Sequence, residues 1–220
     1  MITLILFDAS DVLYTRKVSI KGYAKSLLQE AGFTRQPSPE EWQHLRAVAH
    51  SATVGKSEYT EYWETFFRLH GVPPGPTYRV LLEKVLAQNN AVYPREGIPS
   101  ALEALRRAGY TQGVITDTMY PTEWKRNWLD TVGALPYLDV FVCSREVGVA
   151  KPDPSIYRIA LKEGKASPEQ TLFVGHATHE LEGAKALGIR TVAVFKDEGA
   201  RGDYEIRSLT ELPPLLGNLQ

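Results

Sequence analysis

A chain of 220 residues is long enough to bury a full core, and its 25 basic and 26 acidic side chains leave a formal charge of −1, so no global field draws it to nucleic acid or to an anionic membrane. The single cysteine, Cys143, excludes an intramolecular disulfide framework and a multi-cysteine zinc site and fits a reducing compartment. No stretch nears the roughly 18 apolar residues of a membrane span, and residues 2–7 lack the basic start and cleavage site of a signal peptide. A cytoplasmic protein acting on a small molecule is expected; the oligomeric state is open.

The first apolar run, ITLILF over 2–7, stops at Asp8, followed by Ala9, Ser10 and Asp11. Continuous rather than alternating apolar residues predict a strand covered on both faces. From about 15 to 93 no strand-like run occurs. Ser19 precedes IKGYAKSLLQEAG, Ser38-Pro39-Glu40-Glu41 forms a capping box with proline at the first helical position, Ser57 opens EYTEYWETFFRLHG, and Pro76 opens TYRVLLEKVLAQN. Four successive helices are predicted there. Beyond them, strand-like runs TQGVIT (111–116), DVFVC (139–143), TLFVG (171–175) and RTVAVF (190–195) alternate with helical patterns at 100–108, 122–132, 154–163 and 180–187, each followed by a glycine. Glycine there is a stop signal because it enters the left-handed region cheaply. The pattern predicts an α/β fold: a Rossmann-like parallel sheet in a three-layer α/β/α core (1–14 and 94–220) with an inserted α-helical cap (15–93).

Ligands bind beyond the carboxyl ends of strands in such sheets, so the residues at those ends are the candidates for chemistry. Asp8 can be a nucleophile, or a turn former. Thr116 and Asp117 end the second run, where a hydroxyl and backbone N–H groups can hold an anionic oxygen. Lys151 precedes a proline-fixed turn and can neutralise an anion, while His176, His179 and Glu180 stand near a helix start. In the helical insert, Lys56 can meet an anionic group or be solvated, and Tyr59, Tyr62, Trp63, Phe66 and Phe67 at helical spacing suit a cap core better than a substrate box.

The order FDxxxVLY, VITDT, EVGVAKPDPSIY, VGxxxxELEGAKALGI resembles the haloacid dehalogenase superfamily, in the branch whose helical cap follows the first strand. The resemblance runs from Ile2 to the terminal DYEIRSLTELPPLL. It implies a magnesium-dependent phosphatase in which Asp8 attacks phosphorus, Thr116 binds the phosphate, Lys151 stabilises the transferring group, and the metal positions fall on Asp8, Ser10, His176 and Glu180.

Three departures accompany it. Where the family carries the second aspartate of Asp-x-Asp stands Ser10, which cannot be an efficient general acid, a contribution of roughly 100- to 10,000-fold in rate. Asp11 replaces the usual glycine, and its side chain is expected to point elsewhere. Gly175-His176 replaces Gly-Asp, and imidazole is a poor partner for magnesium, which prefers an octahedron of oxygens; the next acid is Glu180, either a ligand through water or a first-turn acid of a helix capped by Thr178. With fewer carboxylates beside Lys151, a site settled without magnesium is electrostatically self-consistent. Three functions stay open: a phosphate-ester hydrolase; a catalytically inactive protein binding a phosphorylated metabolite or a partner; and a metal-free 2-haloacid dehalogenase, whose shared positions are Asp8, Lys151 and Tyr157, with Arg46 a guess for its cap arginine.

Overall fold

A computed structural model describes residues 1–219. The chain begins with β1 (Leu4–Phe7), then a two-residue strand β2 (Tyr14–Thr15), four helices α1 (Ile20–Glu30), α2 (Pro39–Thr53), α3 (Tyr59–Leu69) and α4 (Pro76–Asn90), and a second short strand β3 (Tyr93–Pro94). There follow α5 (Ser100–Arg107), β4 (Thr111–Thr116), α6 (Thr122–Thr131), β5 (Val140–Cys143), α7 (Ser144–Val147), α8 (Pro154–Glu163), β6 (Thr171–Gly175), α9 (Thr178–Lys185), β7 (Arg190–Val194), β8 (Tyr204–Ile206) and α10 (Leu212–Gly217).

Six strands form one parallel sheet in the order β5-β4-β1-β6-β7-β8. Side chains alternate across a strand, which explains why β1 is apolar throughout. Ile5 and Phe7 enter the cluster that holds Leu102, Leu105, Trp128 and Leu129 of α5 and α6, whereas Leu4 and Leu6 enter the opposite cluster with Ile156, Tyr157 and Ala160 of α8 and Leu181 of α9. Helices therefore cover both faces, giving the expected three-layer arrangement. All five predicted strands form. The three-residue β8 was not foreseen, because a short, partly exposed edge strand carries little apolar signal.

The inserted helices have an apolar cluster of their own, built from Leu27, Leu45, Tyr62, Trp63, Phe66, Phe67 and Val85, so the aromatic series is packing rather than a substrate box. Ser38 caps α2 with Glu41 as expected. Ser57 does not cap α3; Glu58 precedes that helix, and the Ser57 carbonyl accepts from Arg145 Nη1 at 2.8 Å. The interval is also not purely helical: β2 and β3 pair antiparallel where the chain leaves and re-enters the sheet domain, a pairing across the 77 residues between Thr15 and Tyr93 that no local pattern reveals.

One glycine differs from expectation. Gly164 after α8 has φ −76°, and the left-handed residue is Lys165 at φ 52°. A Cβ on Gly164 would lie 3.0 Å from Leu4 Cδ1 and closer still to Cδ2, so glycine is needed there for close packing of helix on sheet. Among the described residues no helix is long and apolar enough to cross a membrane.

Candidate active site

β1 is the point where the connections reverse, with β4 on one side and β6 on the other. A crevice at such a switch is where open α/β sheets bind ligands, and Asp8 lies at its centre. The Asp8 backbone N–H still donates to the Val174 carbonyl at 2.9 Å, which fixes the turn to the sheet. The register pairs Phe7 with Val114 and Val174, so Ile115 and Gly175 stand level with Asp8, and Thr116, which ends β4, and His176, which follows β6, each lie one residue beyond.

Lys151, in the turn before α8, reaches between two carboxylates. Its Nζ donates to Asp8 Oδ1, to Glu180 Oε1 at 2.7 Å and to the Ile115 carbonyl at 3.2 Å. The side chains of Lys151, Asp8 and Glu180 are 1%, 5% and 6% exposed; an ammonium at that depth is tolerable only because it is paired. On the far side, His176 Nδ1 lies 3.2 Å from Glu180 Oε2 and 3.7 Å from Asp8 Oδ2. Burial works against a charged imidazole, but the bond to Glu180 and the nearby Asp8 carboxylate outweigh it and raise the His176 pKa. Burial likewise would raise Glu180, yet Lys151 and His176 hold it well below the usual carboxylate range. For Asp8, burial wins over Lys151 and pushes the carboxyl up to about 6. Lys151 is held above its ordinary value: burial opposes the charge, and Asp8 and Glu180 overcome that. With His176 protonated, two negative and two positive groups face one another in near balance.

Glu180 also caps a helix. It sits in the first turn of α9, and Oε2 accepts from the Ala177 backbone N–H at 3.4 Å. The residue preceding the helix is Ala177, not Thr178. Tyr157 Oη donates to the Glu180 carbonyl at 2.8 Å and so braces that turn from beneath. Asp117 Oδ1 accepts from the Lys151 backbone N–H at 3.3 Å, tying the end of β4 to the lysine turn.

Thr116 is fully buried, and among the described residues its Oγ1 has no hydrogen-bond partner. A buried, unpaired hydroxyl is costly unless something else meets it. Asp11 takes φ 61°, consistent with a position where glycine is usual. Its carboxylate accepts from Thr15 Oγ1 at 2.8 Å and from Arg95 Nη2 at 3.3 Å, so it faces the β2–β3 ribbon, as expected.

Ser10 is placed differently from the metal positions. Its Oγ lies 2.9 Å from Tyr14 Oη and accepts from Lys125 Nζ at 3.0 Å; a neighbouring ammonium opposes any role as a cation ligand. Lys125, on α6 and 3% exposed, was not singled out from the sequence. The available signal was its spacing: Thr122, Lys125, Trp128 and Leu129 are the buried residues of that helix, so a lysine occupies its apolar stripe. His179, Lys56 and Arg46 are exposed and stand outside the cluster.

Asp8, His176 and Glu180 each offer a donor atom, all within 4.8 Å of one another, and can hold a metal ion. As a magnesium site the set fits poorly: one donor is an imidazole nitrogen, and one oxygen of each carboxylate is taken by Lys151.

The inserted helices dock over this rim. Ser144 Oγ donates to the Thr53 carbonyl at 2.8 Å, Trp63 Nε1 donates to Tyr120 Oη at 3.1 Å, and Arg145 Nη1 donates to the carbonyls of Ala52, Ser57 and Met119. A cavity of about 230 Å³ remains between helices and rim, with Ser10, Asp117 and Lys125 on one side and Thr53 and Asn89 on the other.

A family model described as haloacid dehalogenase-like hydrolase matches residues 5–194. The chain is similar to a glyceraldehyde 3-phosphate phosphatase of Methanopyrus kandleri, 26% identical over 97% of this chain and 91% of that one. It is also similar to an (S)-2-haloacid dehalogenase 4A of Burkholderia cepacia, 32% identical over 52% of each. Among solved structures, a 2-haloacid dehalogenase from Pseudomonas syringae superposes with a TM-score of 0.71 at 21% identity over the whole of both chains, and a HAD phosphatase from Thermococcus onnurineus with 0.66 at 24% identity over 98% of each.

Proposed function

The chain belongs to the haloacid dehalogenase-like hydrolases, and on that premise we propose that it hydrolyses phosphate monoesters of small metabolites, with Asp8 as the nucleophile. The observation that carries this is the empty-handed Thr116 hydroxyl, buried at the end of β4 beside the strand that presents Asp8. It supports a site for an anionic oxygen that must be desolvated to enter, as a phosphoryl oxygen would be. The relative from Methanopyrus, matched over nearly its whole length, is named as a phosphatase. The inserted helices 15–93 serve as the cap that closes over the substrate.

In this reading Lys151 orients Asp8 Oδ1 and leaves Oδ2 for attack on phosphorus; Thr116 donates to a phosphoryl oxygen; and Lys151 with His176 supplies the positive charge that the transferring group meets. The nitrogen-containing donor set at Asp8, His176 and Glu180 supports a reaction whose dependence on magnesium is weakened or lost. Asp117 takes part by holding the Lys151 turn and by offering backbone N–H at the rim.

The test is phosphate release from a panel of phosphate esters by wild type and Asp8→Asn, each with magnesium and with a chelator. Release that disappears in Asp8→Asn and survives chelation is expected; release indifferent to Asp8 would overturn the proposal. A second reading, attack of Asp8 on the carbon of a 2-haloacid, is favoured by the Lys151–Glu180 pairing and by the partial likeness to the Burkholderia dehalogenase. Halide release from 2-chloropropionate would select it. Binding of a phosphate ester without release of either product would select an inactive binding protein.

A further inference from the structure

Expelling an alcohol from a phosphate ester requires a proton at the departing oxygen. Around Asp8 the three protons of Lys151 are engaged by Asp8, Glu180 and the Ile115 carbonyl, the Thr116 hydroxyl is assigned to a phosphoryl oxygen, and His176 Nδ1 faces two carboxylates at 3.2 and 3.7 Å. On the other side of the rim, in the cavity under the cap, Ser10 Oγ, Tyr14 Oη and Lys125 Nζ form a closed triangle with sides of 2.9, 2.7 and 3.0 Å. Tyr14 is fully buried and Lys125 nearly so. The ammonium also lies 5.2 and 5.6 Å from the ring centroids of Tyr14 and Trp128, and among the described residues no carboxylate pairs with it. Among the described residues its partners are two hydroxyls and two ring faces.

We propose that Lys125, acting through Ser10, supplies the leaving-group proton and later recovers it, so that the substrates include phosphates of ordinary alcohols; this rests on the phosphatase reading above. A serine hydroxyl has two lone pairs and one proton. With Lys125 and Tyr14 donating into the lone pairs, the Ser10 proton is left for a third partner, and Ser10 opens onto the cavity. As Asp8 forms its bond to phosphorus, the bond from phosphorus to the alcohol oxygen breaks. That oxygen takes the Ser10 proton, and Ser10 takes one from Lys125, which becomes a neutral amine. In the second half, water attacks the aspartyl-phosphate and its proton passes through Ser10 to Lys125. The Asp8 carboxylate, inorganic phosphate and the ammonium are regenerated. Lys125 itself touches no substrate atom.

The test compares glycerol phosphate, whose alkoxide needs a proton, with p-nitrophenyl phosphate, whose phenolate leaves without one, for wild type, Asp8→Asn, Lys125→Met, Lys125→Arg and Ser10→Ala. Lys125→Met and Ser10→Ala are expected to lose about 100-fold or more in kcat on glycerol phosphate and at least about tenfold less than that on p-nitrophenyl phosphate. Lys125→Arg keeps the charge but not a transferable proton, so it should show the same selective loss. Equal losses on both substrates, or full rescue by arginine, would mean that Lys125 only holds the fold and would overturn the relay. Should Lys125→Met fail to fold, the arginine and Ser10 variants decide by the same ratio. Absence of Asp8-dependent release from either substrate in wild type would instead overturn the phosphatase reading, and the relay with it.

Discussion

Replacing Lys151 with methionine would leave Asp8 and Glu180 buried with His176 as their one charged partner among the described residues, at 3.7 and 3.2 Å. Removing one member of a buried, hydrogen-bonded ion pair costs about 3–5 kcal/mol, and here one ammonium serves two carboxylates. At pH 7.5 we therefore expect Lys151→Met to lose at least that much stability. The loss should shrink on acidification, because two like charges in one site cannot both stay ionised and one carboxyl must take up a proton. In that window the variant's native state binds a proton that its unfolded chain, with ordinary carboxyls near 4, does not bind. Stability then rises by about 1.4 kcal/mol for each unit that pH falls. Between pH 7.5 and 6 wild-type Asp8, titrating near 6, itself takes up about half a proton, so the difference between the proteins should narrow by about 1.6 kcal/mol on the same scale. Urea unfolding of both at pH 6.0, 6.8 and 7.5 measures it. A cost under about 1 kcal/mol that does not vary with pH is what a solvated surface pair gives, and it would refute the buried-cluster account.

Thr116→Val should be neutral or stabilising by about 1 kcal/mol, since it removes an unpaired buried hydroxyl, while kcat/KM falls about 10- to 100-fold; loss of melting temperature together with activity would deny Thr116 its binding role. The Asp8 carboxyl should titrate near 6 in carbon-detected NMR, so that ionising it on raising pH from 4 to 6 lowers native stability; a midpoint below 4.5 would contradict the burial argument. Gly55→Ala places a Cβ against the Arg145 carbonyl at φ +72°, whereas Gly148→Ala, at φ +76°, meets open space. Both carry the backbone cost of about 1–2 kcal/mol, and Gly55→Ala should lose a further 1–3 kcal/mol or so from overlap, measurable as a larger drop in urea midpoint.

The sheet was legible because strands buried on both faces leave unbroken apolar runs, and the helices because Ser38, the prolines and the glycines punctuate them. Asp8, Lys151, His176 and Glu180 could be named together because strand ends converge on one rim in any parallel sheet. Pairing across long intervals was not legible: β2 with β3, or Lys125 with Ser10, 115 residues apart. Gly164 shows the same limit from another side, for its position after a helix suggested a backbone reason while the contact with Leu4 supplies a packing one.

Strand order has a consequence for how the protein comes into being. β1 is synthesised first, yet its two neighbours are β4 and β6, and Asp8 meets Lys151 across 143 residues of chain. The inserted helices complete their own apolar cluster from residues 24–85, so local contacts can form while the ribosome is still far from β6. Such long-range closures are the slow part of folding. A nascent chain can therefore carry finished inserted helices beside an unfinished site, and Asp8 stays a solvated, unpartnered carboxylate until the turn before α8 delivers Lys151. The buried cluster is complete only when the C-terminal segments arrive, so if the proposed phosphatase reading holds, Asp8-dependent turnover would be a direct clock for the last step of assembly.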